Sequence, residues 1–160
     1  MAPSQFFLPP TLSPKPFPQT GSGDFTLDMT GWEQLGPAFE MIRNSDMASG
    51  RMDERAPLLI HKWFPGGHLY FYVAYPLKMR LIGLGSLNDL HKFHWLKAKY
   101  GKVESGSDAY YITPSNNFQD PAEIYQNLFS TIDKPVVIRQ LRGGKVARYW
   151  FVYRLRCAGS

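Results

Sequence analysis

The residues best suited to binding chemistry are concentrated between Pro135 and Arg156. This stretch contains six arginine or lysine residues and no acidic residue. Its two apolar runs are joined by Gly143-Gly144, and two-residue connections of this kind favour the tight turns of β-hairpins, which need positive φ angles. The stretch therefore predicts a hairpin in which Arg142 lies opposite Lys145, and Arg139 lies opposite Arg148.

The alternation of side chains along the two strands separates this hairpin into two faces. One face is apolar and suits a core; it carries Ile138, Gln140, Ala147, Tyr149, Phe151, Tyr153 and Leu155. The other face carries four arginines and a tryptophan. Like charges directly opposite each other destabilise a sheet, so the predicted Arg139–Arg148 pair suggests that this face meets an anion. The predicted anion-binding residues are Arg139, Arg142, Lys145, Arg148, Trp150, Arg154 and Arg156.

Nucleic acid is the first candidate for that anion, because arginine binds phosphate and an aromatic ring stacks on bases. No recognised nucleic-acid-binding motif accompanies the pattern. Three other interpretations stay open. The arginine stems cover apolar area on an outer sheet face, or the acidic N-terminal part of the chain lies across them. Arginine also binds carboxylates and anionic lipid headgroups.

Charge is unevenly distributed along the 160 residues. Residues 1–50 contain two basic and five acidic side chains, and residues 51–160 contain sixteen basic and eight acidic side chains, which gives net charges of −3 and +8. Such asymmetry suggests an anionic partner for the second part. The single cysteine, Cys157, excludes an intrachain disulfide. The sequence has neither a signal-peptide pattern nor an apolar run of about 20 residues, which predicts a cytoplasmic protein.

The histidines are the other residues whose types suggest chemistry. His61 and His68 flank the segment "WFPGG", and His91 and His94 are three residues apart in a predicted helix. No cysteine cluster, HExxH motif, nucleophile motif or phosphate-binding glycine loop accompanies them. No catalytic residue, metal ligand or cofactor is therefore assigned. A small enzyme with a histidine-containing pocket remains an alternative function.

The first 23 residues are rich in proline, which favours an extended arm. Apolar side chains in this arm are costly to leave in water, so we expect the arm to bind its own domain or a neighbouring subunit. The predicted partner-binding residues are Phe6, Phe7, Leu8 and Phe17. A homo-oligomer or a larger assembly is the expected state.

Residues 24–160 predict one α+β domain with a mainly antiparallel sheet and two to three helices. Strands are expected at 24–29, at 57–64, at 108–115 and in the hairpin. Residues 68–85, which contain Pro76, are expected to form two strands or one kinked edge strand. Helices are expected from Pro37, over 86–101 and from Pro121, where Asp120 is the predicted N-cap and the buried face extends to Ile132. Residues 43–57 are polar and aperiodic, which predicts a mobile loop.

Together these features predict a non-catalytic binding or assembly module. Its two contact surfaces would be the basic hairpin face and the proline-rich arm. A structural protein that binds an anionic membrane surface is an alternative to this function, alongside the enzyme.

Overall fold

The computed structural model of the chain describes residues 20–84 and 103–159. These residues form three helices, α1 (Leu35–Ala48), α2 (Trp63–Leu69) and α3 (Pro121–Tyr125). The six strands are β1 (Leu58–Ile60), β2 (Leu81–Gly83), β3 (Ala109–Pro114), β4 (Phe129–Ile132), β5 (Val136–Arg142) and β6 (Lys145–Ala158). Shorter 3-10 turns occur at Phe25–Asp28, Trp32–Gln34 and Ser115–Asn117, and a π-helical turn, Tyr70–Ala74, continues α2. No helix in these two ranges is long and apolar enough to cross a membrane.

The long strand β6 organises the sheet. On one side it pairs with β3, and on the other side it pairs first with β5 and then, near its end, with β4; all three pairings are antiparallel. Beyond β3 the sheet continues with β1 and then β2, which are joined by parallel pairings. The predicted α+β fold with a mainly antiparallel sheet is therefore confirmed.

Both faces of the sheet are buried, each under its own apolar cluster. The larger cluster lies under α1, which contributes Leu35, Phe39 and Ile42 to it. On the sheet side the same cluster contains Ile138 and Trp150. The smaller cluster on the opposite face includes Leu59, Tyr111, Tyr125, Phe129 and Leu155. Each face is thus closed by side chains from elements distant in sequence.

The expected strand between His68 and Tyr75 is wrong, because this segment is the end of α2 and the π-helical turn. Leu69, Val73 and Ala74 are buried, while Phe71 and Tyr75 are exposed, which is a helical spacing. Nearly every residue here is apolar or aromatic, so an alternating pattern and a helical pattern fit the sequence equally well. The structure packs this segment so closely on α1 that a Cβ atom on Gly36 would lie 2.5 Å from the carbonyl oxygen of Tyr72.

Several predicted boundaries also change. The helix α1 begins before Pro37 and includes the first six residues of the expected mobile loop, because Asp46 is buried against the sheet. The segment expected as a strand at 24–29 contains the 3-10 turn Phe25–Asp28. Asp120 caps α3 as expected, since its carboxylate accepts from the Ala122 N–H at 2.9 Å. However, α3 ends at Tyr125, and Phe129–Ile132 forms β4. The helix expected at 86–101 lies outside the described residues.

Candidate functional site

The hairpin β5–β6 begins as the sequence predicts and then changes register. Gly143 and Gly144 have φ angles of 57° and 76°, and Arg142 pairs with Lys145. A bulge follows, because Ala147 is an extra residue on β6. Beyond it, Gln140 pairs with Arg148 instead of Ala147, and every later pair is displaced by one residue. The predicted Arg139–Arg148 pair is therefore wrong, and Arg139 lies opposite Tyr149.

This displacement divides the predicted row of arginines between the two faces of the sheet. Arg148 and Trp150 share their face with Ile138 and Gln140, and all four side chains are buried under the N-terminal part of the domain. Arg139 belongs to the opposite face. On β5 the expected core residues Ile138 and Gln140 are buried as predicted, whereas on β6 the bulge has moved Arg148 and Trp150 from the expected outer face to this interior face.

Arg148 is fully buried, with 0% of its surface exposed, and it binds neutral oxygen atoms. Its Nη1 donates to the carbonyl oxygen of Leu27 at 2.6 Å, and its Nη2 donates to that of Thr30 at 2.9 Å. Its Nε donates to the side-chain oxygen of Gln140, and Nη1 also lies 3.4 Å from the amide oxygen of Asn116. The guanidinium thereby fastens the segment 24–34 to the sheet.

Aromatic rings complete the surroundings of this cation. The guanidinium carbon lies 4.3 Å from the ring centre of Trp32 and 4.8 Å from that of Trp150. Both distances are within the range of cation–π attraction. Burial lowers the pKa of Arg148 to about 10, so the side chain remains charged at neutral pH. His68 stacks on Trp32 with ring centres 4.8 Å apart, and burial, followed by the nearby Arg148, lowers the pKa of His68.

Arg154, six residues further along β6, is also buried but has an acidic partner. Its Nε and Nη2 donate to the two carboxylate oxygens of Asp46 at 2.7 and 2.9 Å. Asp46 is itself buried and accepts a third hydrogen bond from the Tyr110 hydroxyl at 2.8 Å. Burial, together with this carboxylate, raises the pKa of Tyr110. Arg154 therefore joins α1 to the centre of the sheet.

Arg156 occupies a third environment, at the edge of the domain. Its Nε donates to the carboxylate of Asp133 at 2.7 Å, and its Nη1 donates to the carbonyl oxygen of Arg51 at 2.8 Å. The hydrogen bond that Arg156 donates to Asp133 raises the pKa of Arg156. Its side chain is 27% exposed, so it is only partly accessible to solvent.

The predicted anion-binding face is therefore not an open surface of the described chain. Arg148, Trp150 and Arg154 hold the interior together, and the Trp150 ring cannot stack on an external base while it is fully buried. The interpretation in which the acidic N-terminal segment lies across the arginines describes Arg148 best, although the segment contributes carbonyl oxygens to it and no carboxylate.

The tip of the hairpin keeps the exposed cations. Lys145 is exposed, and Arg142, also exposed, donates to the carboxylate of Asp24 at 3.2 Å and to the hydroxyl of Thr26 at 3.1 Å. These contacts bring the 3-10 turn to the hairpin. This turn and its cap carry two exposed apolar side chains, Phe25 and Met29, which are 84% and 74% exposed, and the exposed Val146 follows Lys145 on β6. We define the tip surface as Phe25, Met29, Arg142, Lys145 and Val146.

Sequence reasoning missed the contribution of Phe25 and Met29 to this surface. The alternation in "DFTLDM" suggests a strand with one face in the core, whereas the segment turns on itself and buries Leu27 alone among its large apolar residues. A signal was present in the Asp24–Thr26 spacing. Asp24 caps the turn by accepting from the Thr26 N–H at 3.0 Å, which is a local motif typical of turns.

The predicted partner-binding residues of the arm, Phe6, Phe7, Leu8 and Phe17, lie outside the described residues. The last part of the arm is described, and it lies against the domain. The Ser115 hydroxyl donates to the carbonyl oxygen of Thr20 at 2.6 Å. A Cβ atom on Gly21 would lie 2.9 Å from the carbonyl oxygen of Ala147, so the chain passes directly beside the bulge of β6.

The described histidines do not gather into a catalytic or metal site. His61 lies beyond β1, with its Nδ1 3.4 Å from the carbonyl oxygen of Leu84, whereas His68 belongs to the aromatic stack on Trp32. His91 and His94 lie outside the described residues. Within residues 20–84 and 103–159, no group of three or more histidine, cysteine, aspartate or glutamate residues is arranged to hold a metal ion.

A cleft with a volume of about 1020 Å³ lies among the loops that precede β1, β2 and β3. Its charged lining is balanced, with four basic residues, Arg43, Arg55, Lys78 and Arg80, and four acidic residues, Asp53, Glu54, Glu104 and Asp108. Two of the arginines form hydrogen bonds to backbone carbonyl oxygens of these loops. Arg43 donates to the carbonyl oxygens of Glu54 and Leu77, and Arg80 donates to that of Arg55. This cleft therefore has no excess charge that would select an anion.

Comparison with known proteins adds no assignment. A scan against protein-family models, a search of curated proteins and a search of solved structures each found no significant match.

Proposed function

We propose that this chain is a non-catalytic module that binds an acidic protein partner through its tip surface. The observation that carries the proposal is a pair of exposed apolar side chains, Phe25 and Met29, on a turn whose Asp24 and Thr26 bind the exposed Arg142. On the hairpin, Arg142 pairs with the exposed Lys145. Aromatic, methionine and arginine side chains are enriched at protein interfaces. A partner with apolar residues and carboxylates would be complementary to this combination.

A protein partner suits these residues better than nucleic acid does. Of the residues that suggested a stacking platform, Arg148, Trp150 and Arg154 are interior, so few of the hairpin's cations remain exposed. Arg142 is also partly neutralised by Asp24. Affinity for nucleic acid increases with the number of phosphates that cations neutralise, whereas a protein interface can rely on a few apolar anchors.

The proposal is tested with labelled probes of three kinds. These are a peptide of alternating leucine and glutamate, a single-stranded RNA and a double-stranded DNA, each measured by fluorescence anisotropy at low and moderate salt. The test variant combines Phe25→Ser with Lys145→Glu. The matched control combines Phe71→Ser with Lys78→Glu, because Phe71 and Lys78 are exposed residues of the same two types in the segment that follows α2.

We expect the peptide to bind and the test variant to weaken binding about tenfold, since it removes an apolar anchor and reverses a charge. The control variant should bind like the unmodified protein. Tighter binding of RNA or DNA than of the peptide would overturn the proposal in favour of a nucleic-acid module. Equal losses in the two variants would show that the tip surface is not the site. Light scattering of the same samples shows whether the partner is a second copy of the chain.

A further inference from the structure

The strand β5 has a free edge that the proposed function does not yet use. Within the described ranges, β5 pairs with β6 on one side and with no strand on the other. Backbone groups of successive residues in a strand point alternately to its two sides. The backbone N–H and C=O of Leu141 point away from β6, because both bind the Gln34 side chain on the opposite side of β5. The backbone groups of Arg139 and Val137, two and four residues earlier, therefore point outward as well.

Each end of this free edge has a feature that prevents further strand pairing. At one end the Gln34 side chain accepts from the Leu141 N–H at 3.0 Å and donates to the Leu141 C=O at 2.8 Å, which are the two bonds that a neighbouring strand would make. At the other end Pro135 occupies the next outward position and has no N–H to donate. The N–H and C=O groups of Val137 and Arg139 lie between these two limits, and no described residue outside β6 binds them.

We propose that an extended acidic segment of the partner protein adds to β5 as an extra strand and hydrogen-bonds with Val137 and Arg139. This inference rests on the proposed function and names the form of its ligand. Addition of a strand to a free sheet edge is a recurrent mode of peptide recognition, in which backbone bonds supply affinity and side chains supply specificity. The two closed ends would fix the register of the incoming strand.

Charge favours an acidic strand over a second copy of β5. The strand contains Arg139 and Arg142 and no acidic residue, and the exposed Lys134 and Lys145 flank it. Carboxylates opposite such cations stabilise a strand pair. The antiparallel register in which two copies of β5 would bond through both residues places Arg142 of each copy opposite Lys134 of the other, which is repulsive.

The experiment uses a blocked hexapeptide of alternating glutamate and valine as the probe, with binding followed by isothermal titration calorimetry. Two further peptides are N-methylated on either set of alternate residues, so that each loses the donors of one edge. On the protein side, Val137→Pro removes one outward N–H and leaves the bonds to β6 intact. Its matched control, Val137→Thr, keeps that N–H. Thermal unfolding of both variants checks that they are folded.

We expect one of the two methylated peptides, and Val137→Pro, to weaken binding about tenfold, because each loses backbone hydrogen bonds. Val137→Thr should bind within about twofold of the unmodified protein. If neither methylated peptide nor Val137→Pro weakens binding, while the tip-surface variant Phe25→Ser with Lys145→Glu does, strand addition is wrong and the proposed function survives. If the tip-surface variant has no effect, or the probe does not bind, both proposals fail. The methylated peptides decide the question even if Val137→Pro does not fold.

Discussion

Arg148 and Arg154 have buried guanidinium groups on the same strand and the same face of the sheet, yet different kinds of groups stabilise their charges. Arg154 forms two short bonds to the carboxylate of Asp46. Arg148 has no carboxylate among its hydrogen-bond partners and is surrounded by carbonyl oxygens, an amide oxygen and two indole rings. A buried cation is strongly unfavourable without compensation, so each set of partners is essential to its own region.

The two arginines therefore attach different kinds of elements to β6. The Asp46–Arg154 pair joins two regular elements, α1 and β6, and each partner leaves a buried charge behind if the other is removed. Arg148 instead joins β6 to a segment of 3-10 turns, through the carbonyl oxygens of Leu27 and Thr30. A single residue of β6 therefore organises the backbone of residues 24–34, whereas Arg154 fixes a helix that is already regular.

The largest effect is expected from Asp46→Ala, because it leaves Arg154 buried and unpaired. Breaking a buried pair in this way costs about 3–5 kcal/mol of unfolding free energy. Chemical denaturation followed by tryptophan fluorescence measures it. Asp133→Ala is the matched control, since the Asp133–Arg156 bond has the same length of 2.7 Å but is partly exposed; it should cost less than about 1 kcal/mol. Equal losses in the two variants would contradict the assignment.

An intermediate effect is expected from Arg148→Met, which removes the cation and its hydrogen bonds together. The carbonyl oxygens of Leu27 and Thr30 lose their partner, but no uncompensated charge remains, so we expect a loss of about 2–3 kcal/mol. Hydrogen exchange should show the loss locally. Amides in residues 24–34 should exchange faster, while those of α1 after Phe39 should change little. Uniformly faster exchange throughout the domain would mean that Arg148 does not act on that segment in particular.

The smallest effect is expected from protonation of His68. The pKa of His68 is lowered below its ordinary value of 6.5 by burial and by Arg148, while Asp28 acts in the opposite direction. Between these two pKa values the unfolded chain binds more protons than the folded one, so stability is complete above about pH 6.5 and decreases as the pH falls below it. Denaturation midpoints measured from pH 7.5 to pH 5 should decrease less in His68→Gln. An identical slope in both proteins would show that His68 is not responsible.

The hairpin and the class of fold were predictable because their signals are local. Gly143-Gly144 specifies a tight turn, and Asp120-Pro121 specifies the start of a helix; each acts through its own backbone conformation. The helix that replaces the expected strand at His68–Tyr75 was not predictable in this way, since its residues are apolar on every side. Packing against α1 decides between helix and strand there, and this packing joins residues that are distant in sequence.

The position of the arginines was not predictable, for two physical reasons. Arginine is rarely fully buried unless it is paired, and no acidic residue lies near Arg148 in the sequence. Apart from Gln140 on the same hairpin, its partners come from residues 27, 30 and 116, which only the folded chain brings together. The bulge at Ala147 has no sequence signal either, because alanine does not require it. One unpredicted residue in the register was enough to exchange the two faces of β6 beyond the bulge relative to β5.

The hydrogen bonds of Arg148 also have a consequence for the order in which the domain folds. They connect residues that are 118 and 121 positions apart, whereas the turn of the hairpin joins neighbours. Local hairpins form in about 1–10 μs, and contacts between distant residues form later because closing a long loop has an entropic cost. Arg148 is therefore expected to remain hydrated through most of the folding reaction. Its bonds would set the lifetime of the native state and would have little influence on the speed at which that state is reached.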